Sequence, residues 1–251
     1  MGHAFDEAIS GIAATLNARL EIYEDAGVTH IPHPRNVKPL AFHSAPDQQD
    51  QKGVKEQDGS QAQRLAHLEK STLGICDRCD LHQTRTHIVF GAGNSNAELL
   101  FLGEGPVASD DREGIPFAGK PGALLSQMIK AMGFRIEDVY LSHLVKCRPP
   151  NDRAPSSQEV TTCEPFLKSQ IKIISPKVIV TLGRFASQTL LKSEQSLDEL
   201  RGQWTSYEGI DVMPTFHPEF LLGTPARKRD AWHDLQQVMG RLGKTPTSRR
   251  S

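Results

Sequence analysis

The chain of 251 residues lacks any long apolar stretch, and no run approaches the roughly 18 residues that a membrane-spanning helix needs. Its first ten residues carry acids and lack the basic start and apolar segment of a secretion signal. These two absences argue against membrane and secreted proteins. They predict a cytoplasmic protein that makes no contact with a membrane.

Cysteine is scarce and the charges nearly balance. The chain has 4 cysteines and a formal net charge of -1. A few cysteines in an intracellular chain favour a metal site or catalysis over disulfides. A chain with almost no net charge is not a bulk polycation. Any binding to DNA must therefore depend on local clusters of basic residues.

Composition divides the chain into four parts. Apolar residues recur at helical spacing in residues 4–26, which predicts an amphipathic helix within an N-terminal helical extension at 1–42. Residues 43–64 are rich in Gln, Asp, Lys and Gly and predict a flexible linker. We expect one folded domain at 65–242 and a disordered tail at 243–251.

The predicted domain alternates strand and helix signals. Apolar runs at 98–102, 139–145 and 178–182 predict strands, and helical patterns lie between them. Two further runs, 204–207 and 210–215, predict a hairpin. Repeated βα units indicate an α/β fold whose parallel sheet is covered by helices on both faces.

Unusual segments follow the predicted strands. They are the Gly103-Glu104-Gly105-Pro106 loop, His143, Gly183 and the His217-Pro218 pair. Ligands of open α/β sheets bind at the carboxyl ends of the strands. The pattern therefore predicts a ligand site at this edge, although loops also contain Gly and Pro without any function.

Cys76, Cys79, Cys147 and Cys163 form a candidate metal site. The first two make a C-x-x-C pair, and the others lie far downstream. Zinc and a [4Fe–4S] cluster both accept four thiolates. Zinc sites usually have two local pairs and this set has one, so the spacing favours an iron–sulfur cluster, with zinc as the alternative. An accidental C-x-x-C beside two buried thiols, or a redox pair, also fits the sequence.

The order of short motifs along the chain is more specific than any one motif. Together they resemble the family 4 uracil-DNA glycosylases, the iron–sulfur branch of that superfamily, over residues 73–240. The matching stretches are Cys76–Cys79, Val89–Gly91 with Gly93-Asn94, Gly103–Pro106, Gly114–Gly122, Val145–Pro150, Arg153–Pro155 and Phe216–Leu222.

The resemblance implies a three-layer α/β/α sandwich with a central, mostly parallel four-stranded sheet and a [4Fe–4S] cluster on the four cysteines. It also implies base-excision repair, in which the N-glycosidic bond of uracil in DNA is hydrolysed. The expected partner is DNA containing a deaminated base, and we expect a monomer. A base inside a duplex is out of reach, so the nucleotide has to be flipped into a pocket.

The same resemblance implies roles for individual residues. Phe117 matches the aromatic residue that stacks on the base. His217 matches the histidine that hydrogen-bonds uracil O2 as negative charge develops on the ring. Glu104 and Gly105 belong to the tight turn that approaches the base and the attacking water, and Asp110 falls where the family has an acid near the ring. We therefore predict His217, Glu104, Gly105 and Asp110 as catalytic residues.

Contacts to DNA are expected around the pocket. A large apolar side chain at Phe220 or Leu221 would wedge into the stack that the flipped base leaves, unless it is buried under the last helix. Basic residues in or near the motifs are candidates for phosphate contacts. They are Lys146, Arg148, Arg153, Arg227, Lys228 and Arg229.

The chain departs from the family at pocket positions. His143 stands where the family has the Asn that reads uracil N3 and O4, Val107 replaces a Gly and narrows the space near the ring, and Asp110 replaces a Glu. We predict that Phe117, His143 and Val107 bind the base. An unperturbed histidine titrates around pH 6.5. A protonated His143 is therefore expected to donate to O4, and uracil excision to rise as the pH falls.

Three alternatives stay open on the sequence. The first is a glycosylase for another damaged base. The second is an iron–sulfur DNA-binding protein that has lost catalysis. The third is a zinc-stabilised α/β hydrolase acting on nucleotides. The intact motif around His217 argues against lost catalysis, and the lack of a nucleophile elbow or P-loop argues against an ordinary hydrolase or NTPase.

Overall fold

The computed structural model describes residues 59–245 of the chain. Within that range, six strands form one sheet. In chain order they are β1 (Ala92–Gly93), β2 (Leu99–Gly103), β3 (Tyr140–His143), β4 (Val178–Leu182), β5 (Thr205–Tyr207) and β6 (Ile210–Thr215).

The strands follow the order β1-β3-β2-β4-β6-β5 across the sheet. The four central strands run parallel, and the two edge strands are antiparallel to their neighbours. The predicted mostly parallel sheet is confirmed, but the expected number of four strands is wrong because each edge carries a short extra strand. On one edge, β5 and β6 form the predicted hairpin. It turns at Glu208 and Gly209, which have φ of 49° and 82°.

Eight α-helices lie in the described range. They are α1 (Gln61–His67), α2 (Ala108–Glu113), α3 (Gly119–Ala131), α4 (Ser157–Ile174), α5 (Arg184–Leu191), α6 (Leu197–Leu200), α7 (Pro218–Gly223) and α8 (Lys228–Arg241). A π-helical segment, Leu68–Leu73, continues α1. Short 3₁₀ turns occur at Asp80–Gln83, Ile136–Asp138, Pro150–Asp152 and Pro225–Arg227.

Buried side chains cover both faces of the sheet. On one face, strand residues such as Leu100 and Ile179 cluster with residues of α4 and α5. On the other face, Phe101 and Val180 cluster with residues of α3 and α8. Successive side chains of a strand point to opposite faces, so strands buried on both sides are apolar throughout. With both faces covered, the loops at the strand ends are left to bind ligands.

The described range begins inside the stretch that the sequence predicts as a linker. Ser60 caps α1 through a reciprocal side-chain and backbone pair with Gln63, so residues 61–64 are helical. The rest of the predicted linker at 43–64, the extension at 1–42 and most of the tail at 243–251 lie outside the described residues. No helix in residues 59–245 has both the length and the apolar character needed to cross a bilayer.

Candidate active site

Loops at the carboxyl ends of three parallel strands border one cleft of about 720 Å³. Glu104 to Val107 follow β2, Gly183 follows β4, and His217 follows β6. The fold therefore brings together segments that are more than 100 residues apart in sequence. This edge is the one at which the sequence predicts a ligand site.

His217 is held in one tautomer. Its Nδ1 accepts a hydrogen bond of 3.2 Å from the backbone N–H of Glu219, at the start of α7. Burial, and to a smaller extent neighbouring His143, lower the pKa of His217 to about 4, although Asp110 partly opposes the shift. The ring is therefore neutral at pH 7 and carries its hydrogen on Nε2. His217 lines the cleft as a neutral hydrogen-bond donor.

Phe117 adopts a conformation that bulky side chains seldom take. Its φ is 58°, in the left-handed region, and its ring lies 6.1 Å from that of His217 between centroids. A Cβ added to Gly122 in α3 would lie only 1.4 Å from the Phe117 carbonyl oxygen. Because Gly122 has no side chain, α3 can pack directly against the backbone of Phe117 and support its strained conformation.

His143 is buried beside Phe117, with ring centroids 4.5 Å apart. Its Nε2 lies 3.1 Å from Oδ2 of Asp110, whereas its Nδ1 has no hydrogen-bond partner among the described residues. Burial lowers the pKa of His143, and the bond to Asp110 only partly opposes this effect. The expectation that His143 titrates near neutral pH is therefore wrong, because the buried ring stays neutral there.

Asp110 and Asp111 are both buried and both fix loops. Asp110 Oδ1 accepts a 2.8 Å hydrogen bond from the backbone N–H of Ala118, next to Phe117. Asp111 accepts from the backbone N–H groups of Thr86 and His87. Neither carboxylate lines the cleft. Asp110 thus holds His143 and the backbone after Phe117 in place, and neither His143 nor Phe117 lines the cleft itself.

Glu104 and Val107 line the cleft, as expected for the turn after β2. Burial raises the pKa of Glu104, while the charge of Arg184 lowers it. Arg184 also lines the cleft and was not identified from the sequence. The sequence feature that could have identified Arg184 is its position directly after Gly183, at the carboxyl end of β4.

Lys146 does not contact phosphate, contrary to the prediction. Its side chain is fully buried, and its Nζ donates hydrogen bonds of 2.7 Å to Ser142 Oγ and to the His143 carbonyl oxygen. Ser142 in turn donates to Gln170 Oε1. A buried amine needs such acceptors, so Lys146 anchors the end of β3 instead of reaching solvent.

The other predicted basic residues lie at the surface in ion pairs or beside them. Arg153 makes a two-bond contact with Glu159, at 2.6 and 2.9 Å, and lines the cleft. Arg148 pairs with Asp152 at 2.7 Å. Arg227 pairs with two aspartates, while Lys228 and Arg229 are exposed. Phosphate would have to share Arg148, Arg153 and Arg227 with their acidic partners.

Phe220 and Leu221 have opposite environments. Phe220 is 45% exposed, lines the cleft and stacks on Phe216 with ring centroids 5.1 Å apart. Leu221 is 1% exposed and packs with Ala231 of α8. Leu221 is therefore not the wedge that the sequence also allowed, because the last helix buries it.

The four cysteines line a single small cavity with Lys146 and Phe166. Arg85 donates to Cys147 Sγ at 3.1 Å and Arg78 donates to Cys76 Sγ at 3.4 Å. In residues 59–245, no three His, Cys, Asp or Glu side chains are grouped so that they could hold a metal ion. The four cysteines thus line one cavity, but among the described residues they are not grouped as the ligands of a single metal ion.

The cationic surroundings of the cysteines suit an anionic centre. Burial raises the pKa of Cys163 to about 11 and also raises that of Cys147. A bound metal removes such thiol protons outright. Four thiolates on a metal centre leave net negative charge, which Arg78, Arg85 and Lys146 would offset. The two arginines were not predicted, although Arg78 lies inside the C-x-x-C pair.

Comparison with known proteins shows that this chain is similar to uracil-DNA glycosylases. The family model "Uracil DNA glycosylase superfamily" matches residues 90–236. The type-4 uracil-DNA glycosylase of Thermotoga maritima is 44% identical over 164 residues, which is 64% of this chain and 84% of that protein. The type-4 enzyme of Sulfurisphaera tokodaii is 41% identical over 67% of this chain and 81% of its own length. A type-5 enzyme of Pyrobaculum aerophilum is 27% identical over 51% of this chain.

The matches span the central sheet and the cleft, and two of them reach most of the length of the relatives. The resemblance inferred from the motif order is confirmed. This chain belongs to the uracil-DNA glycosylase superfamily.

Proposed function

We propose that the protein is a DNA-repair enzyme that hydrolyses the N-glycosidic bond of uracil in DNA, the activity named for its type-4 relatives. The observation that carries the proposal is the fixed state of His217. The hydrogen bond from the Glu219 backbone leaves Nε2–H as the donor on a neutral ring that lines the cleft. A donor positioned before the reaction stabilises charge that appears on the departing base.

The proposed reaction begins with a flipped nucleotide whose base stacks on Phe117. When the glycosidic bond breaks, its electron pair moves into the base, and the His217 hydrogen bond to O2 strengthens. A neutral donor is suitable because the hydrogen stays on His217 while the base leaves as an anion. We assign Glu104 and the backbone of Gly105 to positioning the water, since both line the cleft.

We also propose that Cys76, Cys79, Cys147 and Cys163 hold one [4Fe–4S] cluster. Support comes from their shared cavity and from the arginines that donate to two of the sulfurs. A zinc ion needs four sulfurs about 2.3 Å from one point. A cluster spreads its ligands over four irons, which suits four cysteines that line one cavity without forming a single-ion site. When bound, the cluster would act as a structural cross-link between the cysteine loop and α4.

DNA containing uracil is the proposed partner, bound by the protein as a monomer. Phe220 is the candidate wedge because it is exposed at the cleft. Arg148 and Arg153 are the candidate phosphate contacts, and Arg184 joins them. The catalytic domain is proposed to span 65–242, the part that includes every one of these residues.

A panel of duplexes, each with one defined lesion, tests the function. Single-turnover formation of abasic sites should be fastest on a deaminated base and should require His217. His217→Ala is compared with His233→Ala, which removes an exposed histidine of α8. No cleavage of any lesion by iron-loaded protein would contradict the proposal and favour a non-catalytic DNA-binding protein. Iron and sulfide analysis, with zinc measured in parallel, tests the cluster.

A further inference from the structure

Two phenylalanines that line the cleft stack on each other. Phe216 is 4% exposed, and its ring centroid lies 5.1 Å from that of Phe220. The guanidinium carbons of Arg201 and Arg227 lie 5.4 and 5.2 Å from the centroid of the same Phe216 ring. We propose that these two arginines are positioning residues, which hold Phe216 as a fixed support for Phe220, the candidate wedge. The inference rests on the proposed function and assigns residues that prepare the site for duplex DNA.

Arg201 is held by groups in the interior of the domain. Its Nε donates to Oδ2 of Asp234 at 3.0 Å, and a second guanidinium nitrogen donates to Oδ1 of the same carboxylate. That nitrogen also donates to the carbonyl oxygen of Asp230 at 2.8 Å. Asp234 is fully buried and accepts from Thr215 Oγ1 at 2.7 Å, at the end of β6 directly before Phe216. A two-bond contact fixes the plane of a guanidinium, so the place of Arg201 beside the Phe216 ring is fixed as well.

Arg227 is held between two carboxylates nearer the surface. It donates to Asp198 Oδ1 at 2.9 Å and to Asp230 Oδ2 at 2.8 Å, and thereby connects α6 to the first turn of α8. The two negative charges offset the positive charge of the guanidinium. Arg227 therefore attracts a phosphate less than a free arginine would. The inference gives it a different role from the phosphate contact that the sequence suggested.

The support matters because Phe220 is only partly in contact with protein. A cation within about 6 Å of an aromatic ring is attracted to the negative face of that ring. Two such cations restrict the Phe216 ring, and the stacked Phe216 ring restricts the rotation of Phe220. A wedge has to enter the space that a flipped base leaves in the stack. A side chain that is already ordered loses less freedom on binding than a mobile one, so it inserts more readily.

The first test compares duplex and single-stranded substrates, with the full, cluster-loaded chain. Arg227→Met removes the charge but keeps a long side chain, at a position that is 40% exposed and tolerates the loss of its ion pairs. It should lower single-turnover excision of uracil from duplex DNA by about 3- to 10-fold. The rate on single strands should stay within about twofold, because a single strand has no base-paired stack to refill. Equal losses on the two substrates would overturn the inference.

Arg241→Met is the matched control for this change. Arg241 also pairs with an aspartate, Asp211, and its guanidinium carbon also lies over an aromatic ring, 4.2 Å from the centroid of Trp204. Neither Arg241 nor Trp204 lines the cleft. The control should change stability in urea about as much as Arg227→Met does, and should leave both excision rates unchanged. A loss confined to duplex DNA in Arg241→Met would overturn the inference, since a remote ion pair would then produce the same effect.

The second test asks whether the arginines act through Phe220. In the Phe220→Ala background, Arg227→Met should cost less than about twofold on duplex DNA, because the side chain that it supports is gone. Arg201 is tested by combining Arg201→Met with Asp234→Asn, so that no unpaired carboxylate is left buried. This double change should also slow excision from duplex DNA and should likewise lose its effect when Phe220 is absent. Undiminished losses in the Phe220→Ala background would overturn the inference.

The salt dependence of DNA binding separates support of the wedge from contact with phosphate. Each phosphate contact contributes about 0.9 to the slope of the logarithm of the binding constant against the logarithm of the salt concentration. Arg227→Met should leave this slope unchanged. A slope reduced by about 0.9 would identify Arg227 as a phosphate contact and would overturn its role as a support.

A fluorescence measurement separates the inference from the proposed function. In duplex DNA with 2-aminopurine beside uracil, fluorescence should rise when the wild type opens the stack, and the rise should be slower with Arg227→Met. If the wild type opens the stack and Arg227→Met slows it, but no base is excised, the proposed function fails and the support role stands. If the wild type excises uracil from duplex DNA and Arg227→Met does so at the same rate, the inference fails and the function stands.

Discussion

Replacing Gly122 by alanine tests whether the strained position of Phe117 matters for the reaction. The added Cβ would lie 1.4 Å from the Phe117 carbonyl oxygen and 2.5 Å from its carbonyl carbon. Both distances are much shorter than a van der Waals contact. The atoms concerned belong to the backbone, which cannot rotate away as a flexible side chain can. The loop that carries Phe117 has to move.

The magnitude follows from two opposing contributions. Overpacking of this kind costs about 1–3 kcal/mol, while alanine in a helix gains about 1 kcal/mol over glycine. We expect a net loss of up to about 2 kcal/mol in the free energy of unfolding. Displacing a stacking group by about 1 Å can lower a rate about 10²-fold, so Gly122→Ala should impair excision far more than stability.

Gly240→Ala is the matched control for this change. Gly240 also lies inside a helix, α8, and a Cβ there meets nothing within 4 Å. It should raise stability by about 0.5–1 kcal/mol and leave the excision rate unchanged. Urea melts and single-turnover assays measure both effects. A Gly122→Ala protein with wild-type stability and rate would refute the reasoning. Lower stability with an unchanged rate would refute only the role of the Phe117 position.

Four other predictions concern His217, the cysteine site and Phe220. His217→Ala should lower the excision rate on the order of 10² to 10³-fold. Because the pKa of folded His217 is about 4, below that of an unfolded histidine, folding stability should fall as the pH drops from about 6.5 toward 4, and His217→Gln should flatten that slope in thermal melts. Cys163→Ser should abolish the visible absorption of the cluster and lower the melting temperature, as iron analysis and calorimetry would report. Phe220→Ala should slow excision from duplex DNA more than from single strands, whereas Leu222→Ala, at a similarly exposed position, should not.

The central sheet was predictable because its strands are buried on both faces. The runs at 98–102 and 178–182 stand out as continuous apolar segments, and they correspond to β2 and β4 within one residue. The strand β1 has two residues, one of them Gly93, at the sheet edge. No hydrophobic period exists over so short a length. Its pairing with β3 is set by tertiary contacts that no local pattern reveals.

Side-chain direction was the part of the site that the motifs did not determine. Lys146 sits among basic residues of a DNA-binding motif, but its amine turns inward because Ser142 and the His143 carbonyl supply acceptors. Leu221 and Phe220 are neighbours of similar character in sequence. Successive residues of a helix point in different directions around its axis, so Leu221 packs against α8 while Phe220 lines the cleft. Charge and hydrophobicity alone carry no information on such directions.

The surroundings of His143 depend on a residue that is distant in sequence, and this explains why the pH expectation for His143 was wrong. A histidine considered alone titrates near neutrality and offers either nitrogen. Asp110, 33 residues away, occupies one nitrogen, and burial keeps the ring neutral. An asparagine at 143 would carry donor and acceptor on one amide. The state of the His143 ring thus depends on Asp110 and on burial as much as on the histidine itself.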